Sequence, residues 1–283
     1  MVVDFHTHTF PDKIAAPTVK KLQGFCHAWA YTDGSLGALA ASMQEAGVDA
    51  SLVLPVATNT HQVPHVNDVS AKINNRGAET GIWSLGCMHP DYDGWKEELS
   101  RIAQLGLKGV KLHPAYQGVD LDDPRYLRIL DRCGELGLFV LVHAGLDIGL
   151  PDCDNCTPAH ALRAVRQVGP VKLILAHMGG WKEWDQVEEL LSDTPVCLDT
   201  SYSLGAVKPS GDGYYTDPAD LQLLGQEQFM RIVRQFGADR IFFGTDSPWG
   251  GQKESLEELR ALPLEPSELA AILGGNAQKL LGL

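Results

Sequence analysis

Eight short apolar runs, evenly spread and separated by helical patterns, constrain this chain more than any other feature. They are "VVDFH" (2–6), "DASLVLP" (49–55), "IWSLGCMHP" (82–90), "LKGVKLHP" (107–114), "LFVLVHAG" (138–145), "VKLILAHMGG" (171–180), "PVCLDTS" (195–201) and "RIFFGTDSP" (240–248). Near-continuous Val, Ile, Leu and Phe, rather than apolar/polar alternation, is the pattern of parallel strands covered on both faces. Between them lie amphipathic stretches such as "SLGALAASMQEAG" (35–47), "WKEELSRIAQLG" (95–106) and "PRYLRILDRCGELG" (124–137), each ending on a glycine stop. "TPAHALRAVRQVG" (157–169) opens with Thr157 as N-cap and Pro158 at the first helical position. "WDQVEELLSD" and "EQFMRIVRQFG" follow the same logic, and "PSELAAILGGNAQKLLGL" reads as a closing helix pair. Strand–helix alternation repeated eight times predicts a single-domain (β/α)8 TIM barrel over residues 1–283. A doubly wound open sheet would carry a Gly-rich phosphate turn after its first strand, where this chain has "HTH".

Two connections are long, 9–34 and 201–226, and the second has the Gly, Pro and Tyr mixture of an ordered flap. The net charge is −13 and no Lys/Arg block occurs, which argues against a nucleic-acid partner. No apolar run approaches the roughly 18–20 residues of a membrane helix. Met1 leads directly into a strand-like run, so no secretory leader is expected. The six cysteines are scattered, and Cys87, Cys133 and Cys197 sit inside apolar or helical patterns. A reduced, cytoplasmic protein is the expectation. Cys153 and Cys156 have C-x2-C spacing, but no further ligands lie nearby in sequence, so a plain loop is expected there.

In a barrel of this kind the active site lies at the carboxyl ends of the strands. Those ends carry His6 and His8, His89, Lys111 and His113, His143, His177, Asp199 and Asp246, with His61 after the second strand. Alternation puts His6 and His8 on one face, with Asp4 facing the same way as a supporting partner. Imidazoles and a carboxylate from different strands can converge on one ion, and a catalytic site leaves a position open for water. His6, His8, His143 and Asp246 supply three nitrogens and one oxygen. That set suits a divalent metal, Zn2+ first, with Mn2+ or Fe2+ left open.

"DFHTH", "VHAG", "AHMGG" and "GTDSPW", in that order along the whole chain, resemble the metal-dependent amidohydrolase superfamily. The nearest branch is amidohydrolase family 2, which includes aminocarboxymuconate-semialdehyde decarboxylase. The resemblance implies that His6, His8 and His143 bind the metal. It implies that Asp246 is a ligand that also accepts a proton from bound water. It implies that His177 orients water or substrate in one-metal members, or binds a second ion in two-metal members. Lys111 reads either as a carboxylated, metal-bridging lysine or as a salt-bridging or anion-binding one, and one ion is favoured over two. His113 reads as a residue that orients a ligand or lines the pocket, and His89 as rim or structure. Asp147, Trp181, Tyr202 and Trp249 are expected to wall a pocket for a small-molecule substrate. A homodimer is compatible with the resemblance.

The main expectation is a hydrolase of a C–N, C–O or lactone bond, with Asp246 as general base then acid and His177 steadying the oxyanion. The alternative is a non-oxidative decarboxylase on the same ligands. The chain's shortness and the lack of an arginine pair at strand ends tilt toward hydrolysis. Arg125, Arg128 and Arg132 fall on a helix, and Arg240 opens a strand. A binding barrel with a vestigial site would lack ligands, and none is missing.

Overall fold

The third apolar run breaks in two, so eight runs give nine short strands. The computed structural model describes residues 1–283. The strands are β1 (Val3–Thr7), β2 (Ala50–Val53), β3 (Ile82–Ser84), β4 (Gly86–Cys87), β5 (Gly109–Leu112), β6 (Phe139–Val142), β7 (Leu173–Leu175), β8 (Cys197–Asp199) and β9 (Ile241–Phe242). At β4 a side chain does the work of a neighbouring strand. Asn67 Oδ1 accepts from the Cys87 amide at 2.7 Å, and Asn67 Nδ2 donates to the Cys87 carbonyl at 3.2 Å. All residues of β1, β2, β5 and β6 are buried, as continuous apolar runs require.

The chain divides into two compact units. The second comprises Val53–Asp147 and Asp152–Leu198. In it β4, β5, β6, β7 and β8 pair in parallel and in chain order. Helices Trp95–Gln104, Pro124–Glu135 and Pro158–Gln167 fall in this unit where the sequence places them. Thr157 caps the last of these by accepting from the His160 amide. Asp123 caps the second: its carboxylate accepts from the Arg125 amide at 2.8 Å and from the Arg125 guanidinium at 2.9 Å. The buried faces bring Leu99 and Ile102, Tyr126 and Ile129, and Ala161 and Ala164 into the core.

The first unit comprises Met1–Leu52, Ile148–Pro151 and Asp199–Leu283. Here the segment beginning at β9 runs beside β1: Phe5 N–H donates to Phe243 O (2.7 Å), Asp246 N–H to His6 O (2.8 Å) and His8 N–H to Ser247 O (2.6 Å). Gly244 is obligatory in this ladder, since a Cβ there would stand 2.7 Å from His6 Cβ. Phe5 stacks on Phe242 at 4.5 Å beneath it. The expected closing helix pair is one run, Pro266–Ala270, Ala271–Gly275 and Asn276–Leu281, continuous through a π turn. That turn lets the Ile272 carbonyl accept from the Phe243 amide and brings Gly274 against Met1 O.

The 9–34 connection is not all loop, because it contains helix Ala15–Cys26. Pro17 in its first turn and Gly24 near its end hide it from a periodicity reading. Residues 201–225 are an ordered flap. Ala206 bridges Gln222, and Pro209 bridges Ala28 in antiparallel fashion. His27 stacks flat on Tyr214 at 3.7 Å and holds Asp212 at 2.7 Å. No helix is long and apolar enough to cross a membrane.

The Asp123 cap generates a pH-dependent expectation. Hydrogen bonding to Arg125 holds the Asp123 carboxyl down to about 2, below its ordinary 3.8. Its contribution is therefore complete above about pH 4 and is lost as the pH falls toward 2. Asp123→Ala should destabilise the protein by about 1 kcal/mol near neutrality. In paired chemical-denaturation curves, that gap should narrow as the pH is lowered through 4 toward 2.

Candidate metal centre

β1 ends with its two imidazoles on one side. In the first unit, His6 Nε2 lies 3.1 Å from His8 Nε2. Asp246 Oδ1 lies 3.2 Å from His6 Nε2 and 3.1 Å from His8 Nε2. Ligands of a tetrahedral ion with bonds of about 2.0–2.1 Å sit roughly 3.3 Å apart, so this spacing fits a shared cation. The other nitrogen of His6 is taken: Nδ1 faces Asp199 Oδ2 at 2.8 Å. Asp199 is completely buried, and its second oxygen accepts from the Ser201 amide at 3.0 Å and from the Ser201 hydroxyl. A carboxylate on Nδ1 fixes the proton there and leaves Nε2 with its lone pair outward, as a ligand needs. Asp246 holds its carboxylate in place at φ 65°, a left-handed conformation that a non-glycine residue adopts only when its surroundings enforce it.

The second unit gathers a different cluster. His143 Nδ1 lies 3.0 Å from His177 Nε2. His113 stacks on His143 at 4.2 Å with 10° between the rings. Asp147 Oδ2 lies 3.6 Å from the Nε2 of each. All four side chains are buried. His113 caps the turn Pro114–Gln117, with its ring accepting from the Tyr116 amide at 3.4 Å. Gln117 locks that turn by donating to Ala57 O (2.8 Å) and Met88 O (2.7 Å), while Tyr126 donates to its Oε1. His177 and Met178 are both left-handed, at φ 58° and 52°, and Trp184 Nε1 donates to the His177 carbonyl at 3.0 Å.

The remaining expected residues fall in several places. Lys111 is buried in β5, in register with Cys87 and Leu141. Burial pushes the Cys156 thiol up, and the Lys111 charge opposes that shift. Trp181 is buried, with its amide bonded to Ala144 O at 2.9 Å. Tyr202 and Trp249 line a shallow cleft in the first unit, together with Tyr31, Lys208 and Glu258. His89 is buried and accepts from the Asp91 amide at 3.2 Å, a turn-holding role. His61 is exposed on a short 3-10 turn. Cys153 and Cys156 are free thiols outside every donor cluster. Asp4 partners no imidazole ring. It accepts instead from the backbone of His6 and Thr245, and burial pushes its carboxyl up to about 6. Sequence reasoning gave Asp199 no role and did not single out Ser201 or Gln117. The signal for Asp199 was its place at a strand end, two residues before a hydroxyl.

The amidohydrolase family model matches residues 3–283. The chain belongs to the amidohydrolase family. A 2-amino-3-carboxymuconate-6-semialdehyde decarboxylase of Dictyostelium discoideum is 26% identical over an alignment of 217 positions that takes in 66% of this amidohydrolase. The match spans 57% of that relative. Among solved structures, a TIM-barrel protein of Bordetella bronchiseptica without an assigned function superposes with a TM-score of 0.73 at 20% identity, covering 99% of this chain and 98% of the other. A manganese-bound 5-carboxyvanillate decarboxylase of Novosphingobium aromaticivorans gives 0.69 at 14% identity, covering 100% and 97%. These likenesses show the fold class, a (β/α)8 TIM barrel.

The Asp199 contact predicts a graded loss. His8→Ala should abolish stoichiometric metal binding. Asp199→Asn should weaken it by about 10–100-fold while leaving the ligands in place. Competition against a chromophoric chelator measures both.

Proposed function

We propose that this amidohydrolase is a metal-dependent non-oxidative decarboxylase of a small carboxylic acid. The observation that carries the reading is the carboxy-lyase identity of its curated relative, whose match takes in two thirds of this chain. The buried imidazoles His113, His143 and His177 support it, since decarboxylation must deliver a proton to carbon. Against it stand the chain's shortness and the lack of an arginine pair at strand ends, which tilt the sequence toward hydrolysis. The arginines of helix Pro124–Glu135 are committed to structure: Arg125 to Asp91 and Asp123, Arg128 to Pro90 O, and Arg132 to Glu135 and Ser100.

In this reading His6, His8 and Asp246 hold one divalent ion, with His143 as the further ligand implied by the family's order of motifs. The bound ion would polarise the substrate's carboxylate or adjacent hydroxyl as a Lewis acid. The C–C bond to the carboxylate breaks, its electron pair stays on the ring or chain carbon, and carbon dioxide leaves. His177, whose Nε2 lies 3.0 Å from His143 Nδ1, then gives carbon its proton. Asp199 keeps the His6 ring oriented throughout, with its carboxylate on Nδ1. Tyr202 and Trp249 wall the substrate side of the first unit.

A direct screen tests the reaction class. Aromatic and unsaturated carboxylates, 5-carboxyvanillate among them, should release carbon dioxide in a chelator-sensitive reaction. His177→Asn should lower kcat by about 10²–10⁴-fold, the usual worth of a positioned proton donor. Acid release from lactones, amides or esters without carbon dioxide from any carboxylate would return the hydrolase reading.

A further inference from the structure

The donor set of the first unit sits on two chain segments, one carrying His6 and His8 and the other carrying Asp246. A single carboxylate touches both. Asp4 is fully buried, and its four donors are all neutral. Oδ1 accepts from the His6 amide at 3.2 Å and the Thr245 amide at 3.0 Å. Oδ2 accepts from the Thr245 hydroxyl at 2.6 Å and from Gln252 Nε2 at 2.7 Å. Gln252 is 1% exposed and opens helix Gln252–Ala261. It also donates to Ser51 Oγ at 3.1 Å, while its own Oε1 is buried without a hydrogen-bond partner.

We propose that Asp4 is a positioning residue that fixes the spacing of His6, His8 and Asp246 by clamping the backbones on which they stand. Its oxygens take the amide of one ligand, His6, and the amide next to another, Asp246. The clamp acts one residue away from donor atoms whose separations are 3.1–3.2 Å, where small shifts change the fit to an ion. Thr245 and Gln252 in turn hold the carboxylate rigid from the outside. Its role is to accept hydrogen bonds, and its charge is incidental. An asparagine at this position would keep an oxygen for both backbone amides. Its new N–H would meet the Gln252 Oε1 that at present accepts nothing, after the Gln252 amide turns over.

The inference rests on the metal reading of His6, His8 and Asp246, and Co2+ titration followed by visible absorption tests both. Wild-type protein should bind Co2+ with a ligand-field spectrum that His8→Ala abolishes. Asp4→Ala should weaken binding by about 10–100-fold and shift the bands. Asp4→Asn should bind within about threefold of wild type, with the wild-type spectrum, because the hydrogen bonds are retained. Should Asp4→Ala fail to fold, Thr245→Val and Gln252→Leu remove one holder of the carboxylate each. Each should weaken Co2+ binding by about three- to tenfold with a matching band shift. Wild-type affinity and spectrum in Asp4→Ala, or in both substitute variants, overturn the clamp alone. Asp4→Asn as weak as Asp4→Ala also overturns it, by making the charge responsible. Co2+ binding that His8→Ala leaves unchanged overturns the metal reading and the clamp together.

Discussion

The first unit's donor set depends on one backbone hydrogen bond, from the Asp246 amide to the His6 carbonyl at 2.8 Å. It aligns the segment after β9 with the end of β1, so that a carboxylate from one meets two imidazoles from the other. Gly244 permits the approach, and the π turn at Ala271–Gly275 supports it from below through the Phe243 amide. The left-handed φ of Asp246 then turns its side chain toward His6 and His8. Strain at that residue persists because the ladder on either side leaves the chain no alternative.

The two clusters differ in their electrostatics. In the first unit, carboxylates outnumber any cation near His6: Asp199 on one nitrogen and Asp246 near the other. Such an environment asks for a positive charge, which suits a cation site. In the second unit two imidazoles, His113 and His143, share one carboxylate, Asp147, and His177 meets His143. Stacked and edge-on rings at 4.2 and 4.8 Å make a polar surface whose protons can be rearranged between nitrogens.

Much of this was legible in the sequence, and the unread parts share a cause. Continuous apolar runs located all the strands, and glycine stops located Leu36–Ala46, Trp95–Gln104 and Pro124–Glu135. Helix Ala15–Cys26 was missed because Pro17 and Gly24 obscure it, and Gln252–Ala261 because Leu256 and Leu259 are the only apolar residues it buries. The histidines at strand ends were readable because parallel strands finish at the same side. Asp199 and Gln117 were not, because their partners are remote in sequence. Asp199 reaches His6, 193 positions away, and Gln117 reaches the carbonyls of Ala57 and Met88. Local pattern shows which residues stand at a strand end, whereas the hydrogen bonds that orient them are properties of topology. The same limit applied to Asp4, which alternation set beside His6 and His8 as a supporting partner without showing that it accepts from the His6 and Thr245 amides.

That topology also governs how the protein is made. His6 and Asp246 are 240 positions apart (246 − 6), so a growing chain displays its two leading imidazoles long before the carboxylate that meets them exists. At synthesis rates of about 5–20 residues per second, that interval is roughly 10–50 s. The donor set of the first unit is complete only once Asp246 has been delivered beside His6 and His8.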